Sequence, residues 1–202
     1  MNDISPPPHG GKSSVPPHGG KSNVPPHGGK SNVPPHGGRS ALPPHGGKAT
    51  RYDDLASQIT GLLAGENDGI ANLANAAAAI YHTLPDLNWA GFYLARGSEL
   101  VLGPFQGRPA CVRIPIGTGV CGTAAERRQS VLVPDVHEFP GHIACDSASR
   151  SELVVPLIRD DTLIGVLDLD SPALARFDAR DQAGCEALVA VIVRHLAPIL
   201  PV

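Results

Sequence analysis

Residues 152–170 read Glu152-Leu-Val-Val-Pro-Leu-Ile-Arg-Asp-Asp-Thr-Leu-Ile-Gly-Val-Leu-Asp-Leu-Asp170. Two apolar runs, Glu152 to Ile158 and Leu163 to Leu169, flank Asp160-Asp161, and this pattern predicts an antiparallel hairpin. Acidic and apolar residues alternate where the second run ends, so Asp168 and Asp170 share one face of its strand. Strand-like segments return upstream. Trp89-Ala-Gly-Phe-Tyr-Leu reads as a strand, Gly97-Ser98 as a turn and Glu99 to Gly103 as the partner strand. Ala110 to Ile114 and Ser130 to Val133 read as two further short strands. Between them, Gly117-Thr-Gly-Val-Cys-Gly-Thr is a glycine-rich entry into a short helix ending near Arg128. Asp135 to Ser149 has no clear period and reads as a long loop, the kind of segment that often carries function in a compact domain.

Helices bracket the strands. Leu55, Ile59, Leu62 and Leu63 fall at helical spacing between Tyr52 and Ala64, and Gly65 suits a C′ stop. Asp68 can cap a second helix through Ile70, Leu73, Ala77, Ile80 and Tyr81 to about Leu84, before Pro85. Its alanine run, Ala76 to Ala79, permits close approach to another element. Asp178 can cap a closing helix through Leu188, Val191, Ile192 and His195. This order predicts an α+β fold, with an antiparallel sheet and helices packed mainly on one face.

The first fifty residues are of another kind. Residues 6–50 repeat Pro-Pro-His-Gly-Gly-Lys-Ser-x-x with a period of nine, placing histidines at His9, His18, His27, His36 and His45. Each unit offers at most one aliphatic residue, too little burial to offset the entropy of ordering its backbone. Pro-Pro favours polyproline II and Gly-Gly interrupts it, so residues 1–50 are expected to be an extended, disordered tail and residues 51–202 the folded domain. The five imidazoles would suit Zn, Ni or Cu on a flexible tether. A plain linker is the preferred reading, since this spacing does not preorganise ligands and no acidic partners accompany the histidines.

The chain has 202 residues and a net charge of −3, so charge points to neither nucleic acid nor an anionic membrane. No apolar run approaches the roughly 18–20 residues of a membrane span. The first residues lack the basic-then-apolar pattern of a secretory signal, and a cytoplasmic address is expected. The four cysteines, Cys111, Cys121, Cys145 and Cys185, are then mainly thiols, and any disulfide among them is functional. No Cys-x-x-Cys pair is present, which counts against a thioredoxin-like motif and the commoner zinc sites.

Cys111, Cys121 and Cys145 lie in glycine-rich or loop positions. Cys121 starts a helix, and Cys145 sits in Gly141-His-Ile-Ala-Cys-Asp-Ser; a helix N-terminus would bias either towards thiolate. Free cysteine is also a common core residue, and Cys185, among Ala183, Leu188 and Val189, reads as one. Asp168 and Asp170, with Glu152 near the same face, mark either a solvated strand end or a pocket that binds an ammonium group or supplies a proton.

At these residues the chain resembles the free methionine-R-sulfoxide reductases, which are GAF-domain enzymes. The likeness runs from about Tyr52 to the closing helix in ordered blocks: Asn88-Trp-Ala-Gly-Phe-Tyr-Leu; Leu102-Gly-Pro-Phe-Gln-Gly; Ala110-Cys-Val-Arg-Ile-Pro; Gly119-Val-Cys-Gly-Thr-Ala; Asp135-Val-His; Gly141-His-Ile-Ala-Cys-Asp; Ser151-Glu; and Gly165-Val-Leu-Asp-Leu-Asp. The repeat lies outside it. The resemblance implies a GAF fold and reduction of free methionine-(R)-sulfoxide, with Cys145 as nucleophile, Cys111 as resolving partner and Cys121 as an auxiliary or alternative resolver. It implies that Trp89 and Tyr93 surround the methyl and thioether end, while Glu152, Asp168 and Asp170 bind the ammonium group and assist at the sulfoxide oxygen. It further implies no metal or organic cofactor, recycling by thioredoxin and a homodimer. A small-ligand or thiol redox sensor built on the same domain is the alternative.

Overall fold

The computed structural model describes residues 47–141 and 147–196. The five repeat histidines, His142 and Cys145 lie outside them. Helix α1 (Lys48–Leu63) begins earlier than the apolar spacing predicts, because Lys48 is an anchor: its Nζ lies 2.9 Å from Asp178 and 2.6 Å from Asp181. The buried face of α1 is Tyr52, Leu55, Ile59 and Leu63. Leu62, predicted to join that face, is 45% exposed. Gly65 follows the helix at φ +82°, the left-handed conformation expected of a C′ glycine.

Helix α2 (Gly69–Thr83) is capped as expected, with Asp68 Oδ1 accepting from the amides of Ile70 and Ala71 at 2.9 and 2.8 Å. Ile70 itself points outward. Strands β1 (Trp89–Arg96) and β2 (Glu99–Gly107) form the first hairpin, β2 running beyond the predicted Gly103 past a bulge opposite Gly91–Tyr93. Strand β3 (Arg113–Pro115) is shorter and later than the predicted Ala110–Ile114, because Pro109 and Ala110 turn aside to line a pocket. After helix α3 (Gly119–Arg127) come β4 (Val131–Val133), a 3-10 turn at Val136–Glu138, and the long hairpin β5 (Ser151–Arg159) and β6 (Thr162–Ser171). Its turn residues Asp160 and Asp161 both have positive φ, +48° and +56°, as a tight two-residue hairpin requires. Helix α4 (Ala179–His195) starts at a capping box formed by Asp178 and Asp181.

Among the described residues, six strands form one antiparallel sheet in the order β3-β2-β1-β6-β5-β4. Helices α1, α2 and α4 cover one face over Ala90, Phe92, Leu94, Leu153, Val155, Leu157, Leu167 and Leu169. The other face carries a second core that includes Trp89, Tyr93, Leu100, Ile114, Val154 and Val166, roofed by α3. Since β3 and β4 are opposite edges of the sheet, the segment joining them crosses this whole face. No helix among the described residues is long and apolar enough to span a membrane.

The contact between α1 and α4 rests on Gly184. A Cβ there would meet three ring carbons of Tyr52 at 2.3–2.6 Å. The ring is held because its hydroxyl donates to Asp181 Oδ1 at 2.9 Å. Gly184→Ala should therefore destabilise the protein by about 2–3 kcal/mol, against the ~1 kcal/mol gain usual for this change within a helix. Thermal unfolding would read this as a Tm lower by several degrees.

Candidate active site

The strand register builds the floor of a pocket on the α3 side. Opposite one another across β4, β5, β6 and β1 stand Val133, Glu152, Asp170 and Trp89. The next row along places Val131, Val154, Asp168 and Gly91 together. The predicted sharing of a face by Asp168 and Asp170 is met, and Glu152 joins them from the neighbouring strand. α3 closes the space from above, and Pro109, Ala110, Ile114, Thr118 and Ser149 complete the wall.

The aromatic side is rigid. The Trp89 indole stacks on Tyr93 at 5.8 Å between centroids and on Phe105 at 5.4 Å, and its Nε1 donates to the Arg108 carbonyl at 3.2 Å. Gly91 makes this possible. A Cβ at that position would lie 2.6 Å from the indole and 2.4 Å from Phe105 Cβ. Trp89 and Tyr93 are almost fully buried, yet both line the pocket.

The polar side is crowded with acids. Glu152 and Asp168 are each 6% exposed and Asp170 is half-buried. Burial, followed by repulsion from Asp168 and Asp170, holds the Glu152 carboxyl well above the usual range. Burial pushes Asp168 up to about 7, although hydrogen bonds from Cys121, Glu152 and the Leu169 amide work against it. The pocket thus retains protons near neutrality that isolated carboxyls would shed.

Cys121 corrects an expectation. It does sit in the first turn of α3, but its Sγ is buried 3.8 Å from Glu152 Oε1, to which it donates. Burial and the carboxylates around it push the thiol well above its usual value. A helix terminus offers about 0.3–1 kcal/mol at an exposed site, which cannot offset this desolvation and repulsion. Cys121 is therefore a thiol, and the expected bias towards thiolate does not apply to it. Cys111 is half of a disulfide, whereas Cys121 and Cys185 are free thiols. Cys185 lies in the helix-side core, its Sγ 3.8 Å from the Tyr52 hydroxyl, and burial pushes it up to about 12.

Two contributors escaped the sequence reading. Phe105 forms the far side of the indole stack, and Ser149, 4% exposed, accepts a 2.9 Å hydrogen bond from Asn88 Nδ2. That bond ties the start of β1 to the end of the long loop. It joins residues 61 positions apart, and no local pattern announces it. Among the described residues one trio offers metal-type ligands in proximity, Cys121, Glu152 and Asp168, with donor atoms all within 4.8 Å of one another.

Comparison with known proteins agrees with this architecture. Residues 69–199 match the GAF domain family. The free methionine-R-sulfoxide reductase of Escherichia coli is 53% identical over 150 residues, spanning 74% of this chain and 91% of its own length. The enzyme of that name from Saccharomyces cerevisiae is 44% identical over 148 residues, spanning 69% and 82%. Among solved structures, the free methionine-R-sulfoxide reductase of Neisseria meningitidis in complex with its substrate aligns with a TM-score of 0.72 at 46% identity. It covers 75% of this chain and 91% of that one. With matches of this extent, the chain belongs to the free methionine-R-sulfoxide reductase family of GAF-domain proteins.

Proposed function

We propose that this chain reduces free L-methionine-(R)-sulfoxide to L-methionine with Cys145 as nucleophile. The observation that carries the reading is the pocket itself: a rigid aromatic stack faces three clustered carboxyl groups beneath α3. The indole face suits a methyl–sulfur end through soft sulfur–ring contact. The carboxyls suit an ammonium group, and those still protonated can donate to the sulfoxide oxygen. A free amino acid satisfies both ends in a pocket of this kind.

In this mechanism the Cys145 thiolate attacks the sulfoxide sulfur while the Glu152–Asp168 pair delivers a proton to its oxygen, which would otherwise leave poorly. Oxygen passes to the cysteine, methionine departs and Cys145 is left as a sulfenic acid. The Cys111 thiol condenses with it, forming a disulfide and releasing water. An external dithiol such as thioredoxin reopens that bond by exchange, becoming a disulfide itself. The disulfide at Cys111, alongside free thiols at Cys121 and Cys185, supports Cys111 over Cys121 as the resolving residue in this reading. A redox sensor without turnover would use the same cysteines but would give the carboxyl pocket no task.

A single-turnover measurement tests the proposal. Reduced protein, mixed with each sulfoxide epimer and no reductant, should release one methionine per chain from the R epimer and lose two thiols, with peptide mapping placing the new bond between Cys111 and Cys145. No methionine from folded, fully reduced protein would refute it.

A further inference from the structure

The three acids that meet beneath α3 form an arrangement beyond what amino-acid binding requires. Cys121 Sγ and Glu152 Oε1 are 3.8 Å apart, and the Asp168 carboxylate lies with them inside a 4.8 Å cluster. A tetrahedral zinc with Zn–S of about 2.3 Å and Zn–O of about 2.0–2.2 Å sets its sulfur and oxygen ligands roughly 3.5–3.7 Å apart. The Cys121–Glu152 spacing needs only a few tenths of an ångström of adjustment, and the Asp168 oxygen, within 4.8 Å of both, needs to draw in by up to about an ångström. Asp168 Oδ1 is buried without a hydrogen-bond partner, and Asp168 lines the pocket. An orphaned carboxylate oxygen beside a thiol and a second carboxyl is the donor set of a borderline-soft dication.

We propose that Cys121, Glu152 and Asp168 form a binding site for Zn2+, in which the metal takes one ligand atom from each and leaves a fourth position open to the pocket. Binding transfers the Cys121 thiol proton and the proton held by the carboxyl pair to solvent, so a dication replaces the protons that now relieve the repulsion. Nothing is oxidised or reduced. Cys121 thereby gains a role that neither its buried thiol nor the disulfide exchange supplies. Inhibition of turnover follows too, resting on the reductase reading: a metal on Glu152 and Asp168 occupies the groups proposed to hold the substrate's ammonium, so Zn2+ should raise the apparent KM for the sulfoxide.

Cobalt absorption tests the site without reference to turnover. Full-length protein, with no reductant and its Cys111 disulfide intact, is titrated with Co2+ and then with Zn2+. A thiolate-to-cobalt charge-transfer band in the near ultraviolet, abolished by Zn2+, is expected. Imidazoles of the N-terminal repeat give no such band. Cys121→Ser should remove it. Asp168→Asn, which keeps the thiol, should weaken cobalt binding by more than the roughly 10–100-fold that loss of even an outer-shell partner costs. Absence of the band in folded wild type, or its persistence in Cys121→Ser, overturns the proposal. Should the protein prove unable to reduce methionine sulfoxide, the spectrum would still decide the metal site, so the two readings fail separately.

Discussion

Replacing Cys145 with serine is expected to abolish methionine formation, lowering kcat/KM by about 10⁴-fold or more. A serine hydroxyl stays protonated near neutrality and is a hard nucleophile, so it neither attacks a sulfoxide sulfur nor accepts its oxygen. The neighbouring cysteines cannot substitute. Cys121 is a buried thiol pressed against carboxylates, and Cys185 sits on the far side of the sheet in the helix-side core. Cys111→Ser should behave differently. It removes the resolving thiol but not the nucleophile, so the first methionine should form at a near-normal rate and turnover should persist with dithiothreitol, which reduces a sulfenic acid directly, while failing with thioredoxin. Steady-state and single-turnover assays on the two variants separate these outcomes. Equal loss in both would refute the division of labour.

The carboxyl pair should give the second large effect. Glu152→Gln retains the shape of the side chain but removes its transferable proton, and kcat/KM should fall by about 10²–10⁴-fold. In the wild type, kcat/KM should decline as pH rises past the value of about 7 to which burial lifts Asp168. The same group links stability to pH. An ordinary aspartate ionises near 3.8, whereas folded Asp168 keeps its proton to about 7, so between these values the folded state binds more protons than the unfolded chain. Stability contributed by this group is then complete below 3.8 and is lost as pH rises through about 7. Asp168→Asn should flatten that dependence. At pH 8 it should stabilise the protein by about 1–2 kcal/mol, because a buried repelling charge is removed, raising Tm by roughly 2–8 °C even as activity is lost. Thermal melts at several pH values check both the sign and the window.

Much of this site was legible because strands report their faces. Alternation alone put Asp168 and Asp170 on one side of β6, and the hairpin turn at Asp160-Asp161 brought Glu152 into the same row. Capping residues marked the starts of α2 and α4 for equally local reasons. What escaped the sequence depends on contacts made across the fold. Burial of Cys121 against Glu152 comes from the path of α3 over the sheet, and no feature of the Gly117–Thr123 segment encodes that path. The stack of Phe105 on Trp89 depends on the β2 bulge and on the space left by Gly91, and the Asn88–Ser149 bond on how the long loop returns. Leu62 and Ile70 have the spacing of core residues and lie exposed, since periodicity locates a helix face more finely than it locates the edge of what covers it.

The two faces of the sheet divide the protein's labour. Three helices anchor one side through an extended apolar core, while one nine-residue helix roofs the other. The roof is itself packed, with Val120, Cys121, Ala124 and Ala125 buried in the second core. The pocket thus belongs wholly to the roofed side, and the three helices that hold the other side contribute no residue to its lining.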